Sequence, residues 1–314
     1  MGVFVFLPLV LPLTALPIAR LAELHLHPRS AARLLTGISL VMAVCSTLCL
    51  GLLGVIGTAQ IPGNPLPDSW SDPEVRDVVP FHEVVGFTAI ALLCVVALSC
   101  SVTLRRHLRV RSRARHALTA LPDGRDLVVL PDEDPYAYAL PGRPARIVVS
   151  TAMLHGLARD EYRALVAHER SHLTHRHHRI LMATQLASCV NPFLRPLQGA
   201  AAYSTERWAD EEAAQAVGDR RLTARAVANA ALLSRRAPHR AARPGLAAFA
   251  ASGPVPRRVA ALLRPVPPAG GWPPAHSPVG LAAMVAAAGT AASALSALNA
   301  AVALLLVLKA ATPL

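Results

Sequence analysis

Lysine is all but missing from this chain: Lys309 is the only one, and the formal charge of +12 therefore rests on arginine. Aromatic residues are also sparse, at 4%, and no aromatic-basic interleaving or nucleic-acid-reading motif accompanies the arginines, which argues against a DNA- or RNA-binding module. The five cysteines (Cys45, Cys49, Cys94, Cys100, Cys189) lie in apolar stretches and never form a CxxC pair, which argues against a disulfide framework or a thiolate metal site. Charge itself is scarce. Only 16% of the 314 residues are charged against 53% hydrophobic, too few for an ordinary soluble chain, so part of it must be solvated by lipid. Anionic lipid headgroups are then the expected partner of the basic surface.

What is present begins with apolar runs. Four segments, roughly 3–19, 35–57, 84–104 and 281–308, meet the criterion of about 20 helical residues needed to cross a bilayer. The first has no basic flank before it and no small-residue cleavage site before Arg20, so it reads as a retained helix kinked at Pro8, Pro12 and Pro17. Arginine placement orients the spans. Arg20, Arg29 and Arg33 put the first connection inside, whereas Asp68, Asp72, Glu74 and Asp77 against Arg76 alone put the second outside. Six arginines from Arg105 to Arg115 then place the large polar region in the cytosol. The expected organisation is a membrane region (1–104), a cytosolic domain (105–265), a Pro-rich linker (266–280) and a C-terminal transmembrane helix (281–314). Within the domain, Asp126–Leu130 and Arg146–Ser150 read as strands, and helices are predicted over Ala158–Arg179, 181–190, 203–217 and 222–236.

The chemistry-bearing pattern is His168-Glu169-Arg170-Ser171-His172. Histidines four apart on a helix project from one face, so both imidazoles can reach a single metal ion, with Glu169 beside it as a general base. Two third ligands compete. Glu206 and Asp210, again four apart, allow one carboxylate to ligate zinc and the other to support a ligand histidine. His178 has the spacing of the HExxHxxGxxH pattern, but His175 stands where that pattern has its glycine. The helix is therefore expected to run on and carry His178 away, leaving His175, His177 and His178 as a polar helix end facing headgroups or helix-end carbonyls.

These motifs, with Ala137–Gly142, Ile147–Leu154, Asn191-Pro192-Phe193 and the Glu206-x-x-Ala209-Asp210 pattern, resemble the membrane-embedded gluzincin peptidases of families M48 and M56 over roughly 127–264. The resemblance implies an α-helical membrane protein with an α+β, mostly helical zincin-like metalloprotease domain. It implies one Zn2+ held by His168, His172 and Glu206, with Glu169 catalytic and Asp210 supporting a ligand. A weaker echo, Pro256–Leu262, makes Arg258 a candidate to stabilise an oxyanion, against its plainer reading as a solvated helix arginine. Sensor-transducers of the M56 type carry an SxxK sensor, and Lys309 has Leu306 three residues before it, so a beta-lactam receptor role is not supported. The expected function is an integral inner-membrane zinc endopeptidase acting on a membrane or membrane-proximal protein. The alternatives are a transducer cleaving a cytosolic transcriptional repressor and a metal-free membrane scaffold. Substrate backbone is expected to pair with a strand edge, at Ala137–Leu140 or Arg146–Ser150.

Overall fold

The computed structural model describes residues 2–64, 66–72, 75, 79–118, 126–142, 144–236, 254–265 and 276–311. Glu74, Arg76 and Asp77 of the acidic connection, and 266–275 of the Pro-rich linker, lie outside these residues.

The chain starts with a 3-10 turn (Gly2–Phe6), a single α-turn (Leu7–Val10) and a second 3-10 turn (Leu11–Thr14) leading into α1 (Ala15–His25). Prolines set this irregularity. Pro8 and Pro12 lack the N–H groups that would bond to the carbonyls of Phe4 and Pro8, and in lipid such carbonyls need other donors. Neighbouring helices supply them: Ser296 Oγ donates to the Phe4 carbonyl at 2.6 Å and Ser46 Oγ to the Pro8 carbonyl at 2.9 Å. Asn191 Nδ2 reaches both Ser46 Oγ at 3.2 Å and the Leu9 carbonyl at 3.4 Å. The expected proline-kinked helix is thus a segment whose kinks are held by polar side chains from three other parts of the chain.

Two long helices follow, α2 (Pro28–Ala59) and α3 (His82–Leu118). They cross with backbones in contact at Gly57 and Gly86, where a Cβ on Gly57 would lie 2.5 Å from the Gly86 carbonyl carbon. Only hydrogen side chains permit that approach. A small sheet comes next, built from β1 (Leu127–Leu130), β2 (Ala137–Leu140) and β3 (Arg146–Ser150). Its order is β1-β3-β2, with β1 parallel and β2 antiparallel to β3. Arg146–Ser150 is therefore the central strand, not an edge, because β1 and β2 occupy both its sides; β1 and β2 are the two margins of the sheet.

Among the described residues seven α-helices follow: α4 (Thr151–Gly156), α5 (Arg159–Thr174), α6 (His177–Val190), α7 (Arg195–Val217), α8 (Arg220–Arg236), α9 (Val255–Leu262) and α10 (Pro278–Ala311). Ser150 joins sheet to helix, its Oγ accepting from the Met153 N–H at 3.1 Å and the Tyr136 N–H at 3.0 Å. Ala158 has no side-chain acceptor at the start of α5; instead the Glu161 carboxylate reaches back to its N–H at 3.3 Å. The helix expected over Ala158–Arg179 is two helices. Arg176 adopts a left-handed backbone (φ 54°), which ends α5 and turns the chain into α6 without a glycine.

The stretches Phe4–His25, Pro28–Ala59, His82–Arg113 and Ala283–Ala310 are long and apolar enough to cross a membrane, as in a multi-pass membrane protein. They do not pack by themselves. One buried cluster joins Ala15, Ile18, Leu35 and Met42 of α1 and α2 to Leu194, Leu197, Ala200 and Ala201 at the start of α7.

Candidate metal centre and active site

Helix α5 brings His168 and His172 onto one face, as their spacing requires, and α7 crosses it with Glu206 and Asp210. His168 Nε2 lies 3.1 Å from His172 Nε2, and the Glu206 carboxylate approaches the two nitrogens at 3.5 and 3.6 Å. Two ligands bound tetrahedrally to one zinc stand about 3.3 Å apart. All three side chains are buried.

The remaining ring nitrogens are engaged elsewhere. His168 Nδ1 faces Asp210 Oδ1 at 3.1 Å, and His172 Nδ1 faces His177 Nδ1 at 2.9 Å. With a proton kept on those outer nitrogens, both Nε2 lone pairs converge on each other and on a carboxylate. Such a cluster suits a cation at its centre. Charge gives the same answer, because Glu169, Glu206 and Asp210 are buried against one buried guanidinium, Arg258, and a divalent ion would neutralise the excess. The residues present fit a zinc ion.

Arg258, expected as a solvated helix arginine, is buried instead. Its Nε and Nη2 donate to the two Asp210 oxygens at 2.8 and 2.6 Å, and Nη1 lies 2.9 Å from Glu206 Oε2. The short helix α9 that carries it is fixed by Arg220, which donates to the carbonyls of Ala261, Leu262 and Arg264 and pairs with Glu211 of α7.

These neighbours set the titration of the site. Burial pushes the Glu169 carboxyl up, to about 7; repulsion from Glu206 adds to this, while His168 and the Ala139 N–H oppose it. Burial also works to raise Asp210, yet Arg258 and His168 hold it well below the usual carboxylate range. Burial pulls His172 down to about 4, so that ring is neutral, the form that ligates metal.

His178, the competing third ligand, is outside this group; it faces Arg111 and Arg179. His177 is the residue that sequence reasoning misplaced. It is fully buried, with its ring packed on Trp208 at a centroid distance of 4.6 Å as well as on His172. The turn at Arg176 swings it there, and no residue type in the sequence announces that turn.

A cavity of about 340 Å3 opens beside His168, Glu169, Glu206 and Arg258, walled by Met153, Leu165, Ala226, Val227 and Ala230. Residues 103–266, more than half of the chain, match the sequence model of peptidase family M48. The chain belongs to peptidase family M48. It is therefore a metalloendopeptidase, and its His-His-Glu group is where a family M48 enzyme would hold its metal. No curated protein and no solved structure matches the chain at a significant level.

Proposed function

We propose that this family M48 enzyme is a zinc endopeptidase in which His168, His172 and Glu206 hold the ion, Glu169 is the general base and Asp210 orients His168. The convergence of three buried ligand atoms at 3.1–3.6 Å carries this reading. When bound, zinc supplies Lewis acidity, polarising the scissile carbonyl and lowering the pKa of water. Glu169, next to His168 on α5 and on the cavity wall, takes a proton from the attacking water and passes one to the leaving amine. Asp210 holds the His168 ring by its Nδ1, and Arg258 balances the charge of Asp210 and Glu206.

The substrate would lie along β2. Tyr136 and Tyr138 pair with β3, so the N–H and C=O of Ala137 and the C=O of Ala139 point away from it, where they can pair with an extended peptide, while the Ala139 N–H meets the Glu169 carboxylate. The aliphatic walls of the adjoining cavity suit an apolar side chain beside the scissile bond. The arginines following the third span support a cytosolic site, with 1–104 as membrane region, 105–265 as peptidase domain, 266–280 as linker and 281–314 as a further span. Such a site would meet membrane or membrane-proximal proteins.

The test is zinc content, by elemental analysis of the detergent-purified full chain, beside hydrolysis of an unstructured peptide. Wild type should carry about one zinc per chain. Glu206→Ala should lose it, and Glu169→Gln should keep it while losing about 10²–10⁴-fold in turnover. Zinc retained in Glu206→Ala but lost in His178→Ala would overturn the assignment.

A further inference from the structure

Behind the active site, on the membrane side, a cavity of about 620 Å3 lies between α2, α3 and α6. Its two ends differ in chemistry. The deep end is aliphatic, with Leu40 and Val44 of α2 and Leu186 of α6, and Val44 is 64% exposed along a membrane-spanning helix. At the other end stand His107 and Arg111, near the close of the third apolar stretch, and His178 and Arg179, in the first turn of α6. No acidic side chain lines this cavity. Neither Arg111 nor Arg179 is paired with a carboxylate among the described residues, and Arg111 Nε is buried without a hydrogen-bond partner. Burial first, and then the charges of Arg111 and Arg179, push His178 down to about 4. The amino end of α6, which no side chain caps, adds positive potential to the same rim.

A greasy groove opening to lipid and closed at the headgroup level by two uncompensated arginines is complementary to one kind of molecule. We infer that it binds an acidic phospholipid, with the phosphate between Arg111 and Arg179 and the acyl chains along Leu40, Val44 and Leu186. A zwitterionic lipid carries a cation that this rim repels, and a soluble phosphate leaves the groove unfilled. His107, His178 and Met182 line both this groove and a smaller cavity of about 50 Å3 that reaches Glu169 and His172. The bound headgroup therefore lies against the rear wall of the site. The inference needs neither zinc nor peptidase activity.

The experiment reconstitutes the full chain in nanodiscs of phosphatidylcholine with and without phosphatidylglycerol, then counts lipids retained through delipidation by native mass spectrometry. Phosphatidylglycerol should stay bound and phosphatidylcholine should not. The double variant Arg111→Gln/Arg179→Gln should weaken retention roughly 30-fold, each arginine at a membrane surface contributing about fivefold. Val44→Trp, which fills the groove and keeps both arginines, should weaken it as well; an unchanged thermal transition identifies the folded variants. Equal retention of the two lipids overturns the inference, as does wild-type retention by either variant. Competition by glycerol phosphate as strong as that by the lipid would assign the rim to free phosphate and overturn the lipid site.

Discussion

Asp210→Asn tests how much the candidate metal centre depends on the residue behind it. The substitution keeps the size of the side chain and one acceptor oxygen but removes the charge that meets Arg258 at 2.6 and 2.8 Å. Arg258 is then left with Glu206, at 2.9 Å, as its only ionised partner in the Asp210–Glu206 pair, and it competes with the metal for that ligand. His168 Nδ1 loses an anionic acceptor 3.1 Å away. Loss of such a supporting partner costs about 10–100-fold in metal affinity. Breaking one side of a buried ion pair costs about 3–5 kcal/mol in stability. Competitive titration against a chromogenic zinc chelator reads the first quantity, and thermal unfolding of the zinc-loaded protein reads the second. Adding Arg258→Met to Asp210→Asn should recover part of the stability, because no unpaired buried guanidinium then remains. Unchanged zinc affinity, together with a double variant no more stable than Asp210→Asn, would refute the account.

Two further substitutions probe the scaffold. Arg176→Gly should stabilise the protein by about 1 kcal/mol, since a left-handed backbone strains any residue with a Cβ; differential scanning calorimetry would register a rise of about 2–4 °C. Gly57→Val should separate α2 from α3, because its Cβ would meet the Gly86 backbone at 2.5 Å; a wild-type unfolding temperature in detergent would show that the crossing is not tight.

How much of this was legible beforehand depends on the range of each interaction. His168, His172, Glu206 and Asp210 come in i, i+4 pairs, a periodicity that survives without knowledge of the tertiary fold, and the structure brings all four together. The four apolar runs were likewise visible, since lipid solvation acts on composition over about 20 residues. Arg258 was not legible as a buried group. Its partner Asp210 is 48 residues away, and the burial comes from α9 docking through Arg220 rather than from anything in Pro256–Leu262. The end of α5 was missed for a related reason. Arg176 takes a conformation that its residue type disfavours, and the contacts of His177 with His172 and Trp208 compensate for it. Of the two segments expected as a strand edge, Ala137–Leu140 lies at a margin of the sheet as β2, whereas Arg146–Ser150 is central, an order set by long-range pairing that no local pattern shows.

The proposed division at residue 105 separates the sequence more cleanly than it separates the packing. Leu194 and Leu197, at the start of the helix that carries Glu206, are fully buried against α1 and α2, together with Ala200 and Ala201. Uncovering two leucines alone costs about 3–6 kcal/mol, a large share of the roughly 5–15 kcal/mol by which a domain is stable. Trp208, under His175 and His177, is covered on its other side by Arg29 and Arg33 of α2 at 5.4 and 5.3 Å. The half-exposed pair of Arg257 with Glu23 of α1, at 2.7 Å, contributes less, about 0–1 kcal/mol. A fragment spanning 105–265 should therefore aggregate or bind zinc far more weakly than the full chain when both are compared by size-exclusion chromatography and elemental analysis. A monodisperse, zinc-loaded fragment would mean that the membrane helices only anchor the peptidase, whereas the packing makes them part of the wall that holds its metal ligands in place.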